Sequence, residues 1–147
     1  MIEHVWLEHG IVRWHIGAVS ASEYLLSDAQ LRQDGRFEEV QYIIDDFLDC
    51  AALTNVELVS SESARTADWA FRHLDFRHAI VSSSAALRER AYRLAVKSLG
   101  SPSAMKFSDM GKAREWAKGD KPGTSSALRQ WGSAGGASLQ AGFARAG

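Results

Sequence analysis

The sequence has a single cysteine, Cys50. No internal disulfide can form, and a reducing compartment is the consistent setting. It also lacks net charge: the formal balance is −1, which removes a global electrostatic case for binding nucleic acid or an anionic membrane. No run approaches the roughly 18 apolar residues of a spanning helix, so membrane insertion is not expected. The first residues, Met1-Ile2-Glu3-His4, have neither a basic n-region nor an apolar h-region. A secretory signal is therefore not expected, and the cytoplasm is the default location. A catalytic signature is missing too. There is no Cys-x-x-Cys pair, no phosphate-cradling glycine loop, and no nucleophile at a known distance from a base. The expectation is a protein that is not an enzyme and that uses no cofactor or metal.

What is present is ordinary for a globular chain of 147 residues, with 46% hydrophobic and 24% charged side chains, enough for one domain with a proper core. Ile2–Leu7 and Ile11–Ile16 read as strands of a hairpin. A two-residue loop at His9-Gly10, with Gly10 supplying positive φ, sets Val5 opposite Trp14, Trp6 opposite Arg13 and Leu7 opposite Val12. Alternation then puts Val5, Leu7, Val12, Trp14 and Ile16 on an apolar face. His4, Trp6, Ile11, Arg13 and His15 lie on the other.

Ser20-Ala21-Ser22-Glu23 is a capping box that predicts a helix to about Leu31, with Tyr24, Leu25 and Ala29 inward. Asp34-Gly35 breaks the chain. Val40–Asp46 is a strand whose Tyr42-Ile43-Ile44 run suits a central position covered on both faces. Thr54-Asn55-Val56-Glu57 is a second capping box, and apolar residues at helical spacing continue to about His73. Ala79–Ser82 is a short strand. Ser82-Ser83-Ser84 caps a helix that buries Leu87, Ala91, Leu94, Ala95 and Leu99 and is stopped by Gly100 and Pro102. Ala104–Phe107 is an edge strand, and a last helix with Met110, Ala113, Trp116 and Ala117 inward ends at Gly119. Residues 119 to 147 are rich in glycine, serine and alanine and lack periodicity. They predict a flexible tail, dispensable for folding, with Leu128, Trp131, Leu139 and Phe143 as sparse anchors. A docking peptide for a partner is the alternative.

The order β-β-α-β-α-β-α-β-α resembles the STAS domain family, the bacterial anti-sigma-factor antagonists, and most of all the SEC14-like STAS branch of small bacterial proteins. Three segments carry the resemblance: the Ile2–Ile16 hairpin followed by Val19-Ser20-Ala21-Ser22-Glu23-Tyr24; the strand Tyr42-Ile43-Ile44-Asp45-Asp46; and the passage Ala70-Phe71-Arg72-His73-Leu74-Asp75-Phe76-Arg77-His78-Ala79-Ile80-Val81. It covers residues 1 to 118 and implies an α/β fold, with a mixed sheet of about five strands and about four helices mainly on one face. Residues 119–147 form the tail. In antagonists of the family, an Asp-Ser-Ser-Gly-like motif after the third strand carries a serine that a partner kinase phosphorylates. Asp49-Cys50-Ala51-Ala52 keeps the aspartate without the serine. Leu53-Thr54-Asn55-Val56, matched by distance, keeps a hydroxyl at Thr54 and loses the rest. Neither restores the motif.

The remaining chemistry-bearing residues have structural readings. Thr54 is a candidate regulatory residue at a helix start, and more simply an N-cap. Cys50 reads as a small buried residue. Asp45, Asp46 and Asp49 read as solvated carboxylates at a strand end, and Arg88, Arg90, Arg93 and Lys97 as an exposed helix face. His4 and His15, opposed across the hairpin in this register, lack a third metal ligand on their face. Trp6, Arg13 and His15 form a candidate interface through which the protein would pair with itself or another protein, with Arg13 stacked on Trp6, unless the tail or last helix covers that face. Two functions follow as expectations. One is a non-catalytic regulatory or protein-interaction module, a homodimer. The other is a carrier of a small apolar or lipid-like ligand, suggested by the SEC14-like branch and five tryptophans.

Overall fold

A computed structural model describes residues 1–59, 77–99 and 104–119. Chain contacts divide the protein into Met1–Ala117 and Lys118–Gly147, and the fold described is that of the first unit. The expected flexible tail lies outside the described residues.

β1 (Ile2–Leu7) and β2 (Gly10–His15) form the hairpin. Its register differs from the expected one by two residues: Leu7 pairs with Gly10, Trp6 with Ile11, Val5 with Val12 and His4 with Arg13. The loop is Glu8-His9, and His9 rather than a glycine takes the left-handed φ of 65°, a conformation that His tolerates better than most side chains. Gly10 serves another purpose. The Tyr42 ring lies over it, and a Cβ there would fall 2.0 Å from that ring.

The chain leaves β2 through Gly17, whose φ of +71° turns it into β3 (Gly17–Ser20). The expected capping box opens α1 (Ala21–Gln33). The Ser20 side chain accepts from the Glu23 N–H, and Glu23 accepts from the Ser20 N–H, both at 3.1 Å. Its inner stripe is Tyr24, Ser27, Asp28 and Leu31, rotated from the expected one and polar at its centre. A 3-10 turn (Gly35–Glu39) buries Phe37 and leads into β4 (Tyr42–Asp46).

β5 (Cys50–Thr54) pairs in parallel with β3 as a small second sheet that the sequence did not announce. There the second capping box fails. Thr54 ends a strand, and Asn55 stands at the N-cap with φ 64° and no side-chain cap bond. A 3-10 turn (Val56–Leu58) follows. The helix expected to run on to His73 lies, beyond Val59, outside the described residues. β6 (Arg77–Val81), α2 (Ala85–Leu99), β7 (Ala104–Phe107) and α3 (Met110–Lys118) complete the unit. Ser84 caps α2 through the Leu87 N–H, and Asp109 caps α3 through the Lys112 N–H.

The main sheet runs β1-β2-β4-β6-β7, antiparallel at the hairpin and parallel from β2 onward. It is the expected mixed five-stranded sheet, with three α-helices among the described residues. Side chains of α1 and α2 pack on one face. Tyr24, Ala91, Leu94 and Ala95 meet Ile80 and Phe47 in one cluster, and Leu31 meets Ile11 and Ile43 in a second. The other face carries Val12, Tyr42, Ile44, Ala79 and Val81 under Ala113 and Ala117 of α3. β2 and β4 are thus buried on both sides, as β4 was expected to be.

The two sequence capping boxes should differ in the test tube. Ser20→Ala is expected to cost about 1 kcal/mol in urea denaturation, whereas Thr54→Ala, at an exposed strand end, should fall within about 0.5 kcal/mol of the parent.

A buried ionic cluster as the candidate functional site

Two apolar clusters share the face covered by α1 and α2, and ionisable side chains lie between them. Period-two alternation places Arg13 and His15 of β2, Asp45 of β4 and His78 of β6 on that face. All four are 0% exposed. Arg13 and Asp45 are direct partners in the β2–β4 register. From above, α1 contributes Tyr24, Ser27 and Asp28, and α2 contributes Ser98, all of them buried.

Asp45 is the hub. Its Oδ1 accepts from Arg13 Nε at 2.5 Å and from His15 Nε2 at 2.9 Å. Its Oδ2 accepts from Arg13 Nη2 at 2.8 Å, Tyr24 Oη at 2.8 Å and His78 Nε2 at 2.6 Å. Five donors meet a group with about four lone-pair positions. The guanidinium reaches further: Nη1 donates to Asp28 Oδ1 at 2.5 Å and to Ser27 Oγ at 3.1 Å. The Ser98 hydroxyl donates to Asp28 Oδ2. Aromatic rings enclose the polar atoms. The His15 ring stacks on Phe47 at 3.9 Å between centroids, and the Arg13 guanidinium lies 4.4 Å from the Tyr24 ring centre.

The protonation states follow from these contacts. Burial alone would raise the Asp45 pKa, but the Arg13 charge and the His15 and His78 hydrogen bonds outweigh it and hold the carboxyl well below its usual range. Burial would likewise lower Arg13. The charges of Asp45 and Asp28 reverse that and raise it. Burial, then Asp45, push the Tyr24 phenol well up, so it stays a neutral donor. Burial depresses His15 despite its bond to Asp45. A carboxylate partner puts the His15 proton on Nε2. Nδ1 has no hydrogen-bond partner among the described residues, so a second proton there would be a buried, unmet donor.

This arrangement can hold charge in a dry interior, but it offers little to a substrate. Asp45 has no lone pair to spare for a proton, a metal or an electrophile, and Arg13 is committed on all three nitrogens. No group of three or more His, Cys, Asp or Glu among the described residues is placed to hold a metal ion. No described helix is long and apolar enough to cross a membrane.

Several expectations are corrected by this geometry. Arg13 and His15 are interior groups, not interface residues, because α1 covers their face. Trp6 is half-buried against Ile11, Leu31 and Phe37, and the cation on its ring is Arg36, 4.3 Å from the centroid, not Arg13. Asp45 is buried rather than solvated. Asp46 and Asp49 lie outside the cluster, half-buried and exposed respectively. His4 is exposed and lies across from Arg13, so the two hairpin histidines do not meet. Cys50 is half-buried, its thiol pushed up by burial. Thr54 is exposed and far from being a helix cap. Arg90, from the expected solvent face of α2, reaches the Leu53 carbonyl at 2.9 Å and pairs with Glu57. The cluster itself went unread, although Arg13, His15 and Asp45 each sit where an otherwise apolar alternation is interrupted.

No family model matches the sequence, and no curated protein matches it. Among solved structures it is similar to the unphosphorylated anti-sigma factor antagonist SpoIIAA, at 15% identity and a TM-score of 0.51, covering 82% of this chain and 100% of that one. It is also similar to an uncharacterized DUF3478-family protein with a SpoIIAA-like fold from Shewanella loihica, at 16% identity and a TM-score of 0.46, covering 80% of this chain and 92% of that one. The fold is therefore STAS-like, as the sequence resemblance implied.

The depressed groups set a pH dependence. His15 binds a proton more readily unfolded than folded, so its contribution to stability is present above its ordinary value of 6.5 and is lost as pH falls below it. The Asp45 contribution is present above 3.8 and is lost as pH falls further. Denaturation followed from pH 8 to pH 3 should show stability declining in two stages. His15→Gln, which keeps a nitrogen donor to Asp45, should abolish the upper stage alone.

Proposed function

We propose that this protein is a non-catalytic regulatory module of bacterial STAS-like type that acts by binding another protein. The observation that carries this reading is the consumption of the interior ionisable groups by one another: a STAS-like scaffold whose charged centre is saturated has its surface left for function. An apolar-ligand carrier gains no support, because polar side chains fill the space between α1, α2 and the sheet centre.

The surface best suited to a partner is the end of β5 and the turn after it. Leu58 is 80% exposed, a large apolar group held out in water in the turn that follows the exposed Thr54. The turn is anchored from behind by Arg90, which grips Leu53 and Glu57. A rigid turn that presents an exposed leucine is pre-organised for docking, which lowers the ordering cost of association. Thr54 occupies the position of the phosphorylated serine by distance in the family resemblance. Without the motif's aspartate and glycine we assign it to contact, not to a kinase switch.

The test is photo-crosslinking in the native host, with the reactive group placed at position 58 and, as control, at Lys112 of α3. A discrete protein adduct from position 58 and none from position 112 is the expected result. Absence of an adduct from both, together with a small molecule retained in native mass spectrometry, would overturn the interaction reading.

A further inference from the structure

β1 is an edge of the main sheet among the described residues, and its outer side can be read group by group. Ile16 N–H donates to the Met1 carbonyl at 2.8 Å, and Met1 N donates to the Ile16 carbonyl at 2.9 Å. That exchange makes Met1–Ile16 a closely bonded pair. In an antiparallel ladder bonded and non-bonded pairs alternate, so in the observed register Glu3, Val5 and Leu7 point their backbone groups inward to β2. Ile2, His4 and Trp6 therefore point theirs outward. The edge carries no proline, lysine or bulge within Ile2–Leu7, the usual devices that discourage strand addition.

The side chains add a second observation. Met1, Val5 and Leu7 are 56%, 39% and 40% exposed, three of the large apolar groups that the fold leaves in water. Alternation puts them on one face of the same strand, with the exposed Glu3 between Met1 and Val5.

We propose that a second copy of this chain pairs through β1, antiparallel about a two-fold axis, joining two sheets edge to edge. The register is dictated. Only the alignment with His4 opposite His4 of the other copy, and Ile2 opposite Trp6, makes all three outward residues of each strand bonded partners. Every outward N–H and C=O between Ile2 and Trp6 is then satisfied. In the same alignment Met1 lies opposite Leu7 of the other copy, and the two Val5 side chains are diagonal neighbours, within reach across the pair. The exposed apolar side chains Met1 and Leu7 thus meet across the seam, with each Val5 directly opposite Glu3 of the other copy. The seam involves one short strand from each copy and is small by the standard of stable dimers, so the association is concentration-dependent. It uses Ile2–Leu7 and leaves the Thr54–Leu58 surface free.

Analytical ultracentrifugation of the full chain should show reversible dimerisation of the 16.1 kDa protein. Val5→Glu should raise the dissociation constant at least about tenfold, since position 5 then faces Glu3 of the other copy directly across the seam with like charge. Disulfide trapping tests the register in a Cys50→Ser background. Opposed residues of a bonded pair have Cα atoms about 5.5 Å apart, within disulfide span, so His4→Cys should yield a covalent dimer and Val5→Cys should not. A chain that stays monomeric to about 1 mM overturns the proposal, including the case in which exchange protection at His4 and Trp6 shows that the chain covers its own edge. A dimer indifferent to Val5→Glu, or trapped equally by both cysteines, overturns it as well.

Discussion

The negative charge of Asp45 is the constraint around which the domain is arranged. A lone carboxylate in a dry interior is strongly disfavoured, so folding requires every donor to arrive together. Those donors come from β2, β6 and α1, and the shared guanidinium extends the demand to Asp28 and, through Ser98, to α2. Sheet order, register and helix placement are thereby tied to one point. Ion pairs of this kind add little net stability against apolar packing of equal volume, but they penalise incomplete or shifted arrangements severely. A strand slip of one residue would turn Arg13 or Asp45 to the opposite face, into the apolar layer under α3.

The same saturation explains why the interior is a poor place for chemistry. Strongly perturbed ionisable groups often mark functional sites, and here the perturbation has a complete structural cause. What the described residues present outward is different in kind: an exposed leucine on an anchored turn, and a sheet edge that no described strand pairs with, carrying exposed Met1, Val5 and Leu7. Both are the surfaces on which the proposed interactions rest, and both are carried by the sheet that the buried cluster holds together.

Local signals in the sequence were legible where local physics decides. The Ser20–Glu23 box, the Ser84 cap, the central Tyr42-Ile43-Ile44 strand and the strand–helix order all follow from short-range preferences. Thr54-Asn55-Val56-Glu57 has the same residue pattern as the first box, but Asn55 adopts a left-handed backbone there and no cap forms. The hairpin register moved because His9 accepted the positive φ that Gly10 was expected to take. The cluster was invisible to hydropathy, which sends arginine, histidine and aspartate to the surface. Its members are far apart in the chain: 32 residues separate Arg13 from Asp45, and 70 separate Asp28 from Ser98. Only the three-dimensional pairing shows that they satisfy one another.

The most direct test of this account is a double-mutant cycle on its central pair, measured by chemical denaturation of Arg13→Met, Asp45→Leu and the combined variant. Each single substitution leaves a buried charge without its partner and should cost about 3–5 kcal/mol. The combined variant should cost far less than the two together, with a coupling of about 1.5 kcal/mol or more. Costs that add to within about 0.5 kcal/mol would contradict the account, because the two residues would then contribute independently and Asp45 would not be the point on which the fold closes.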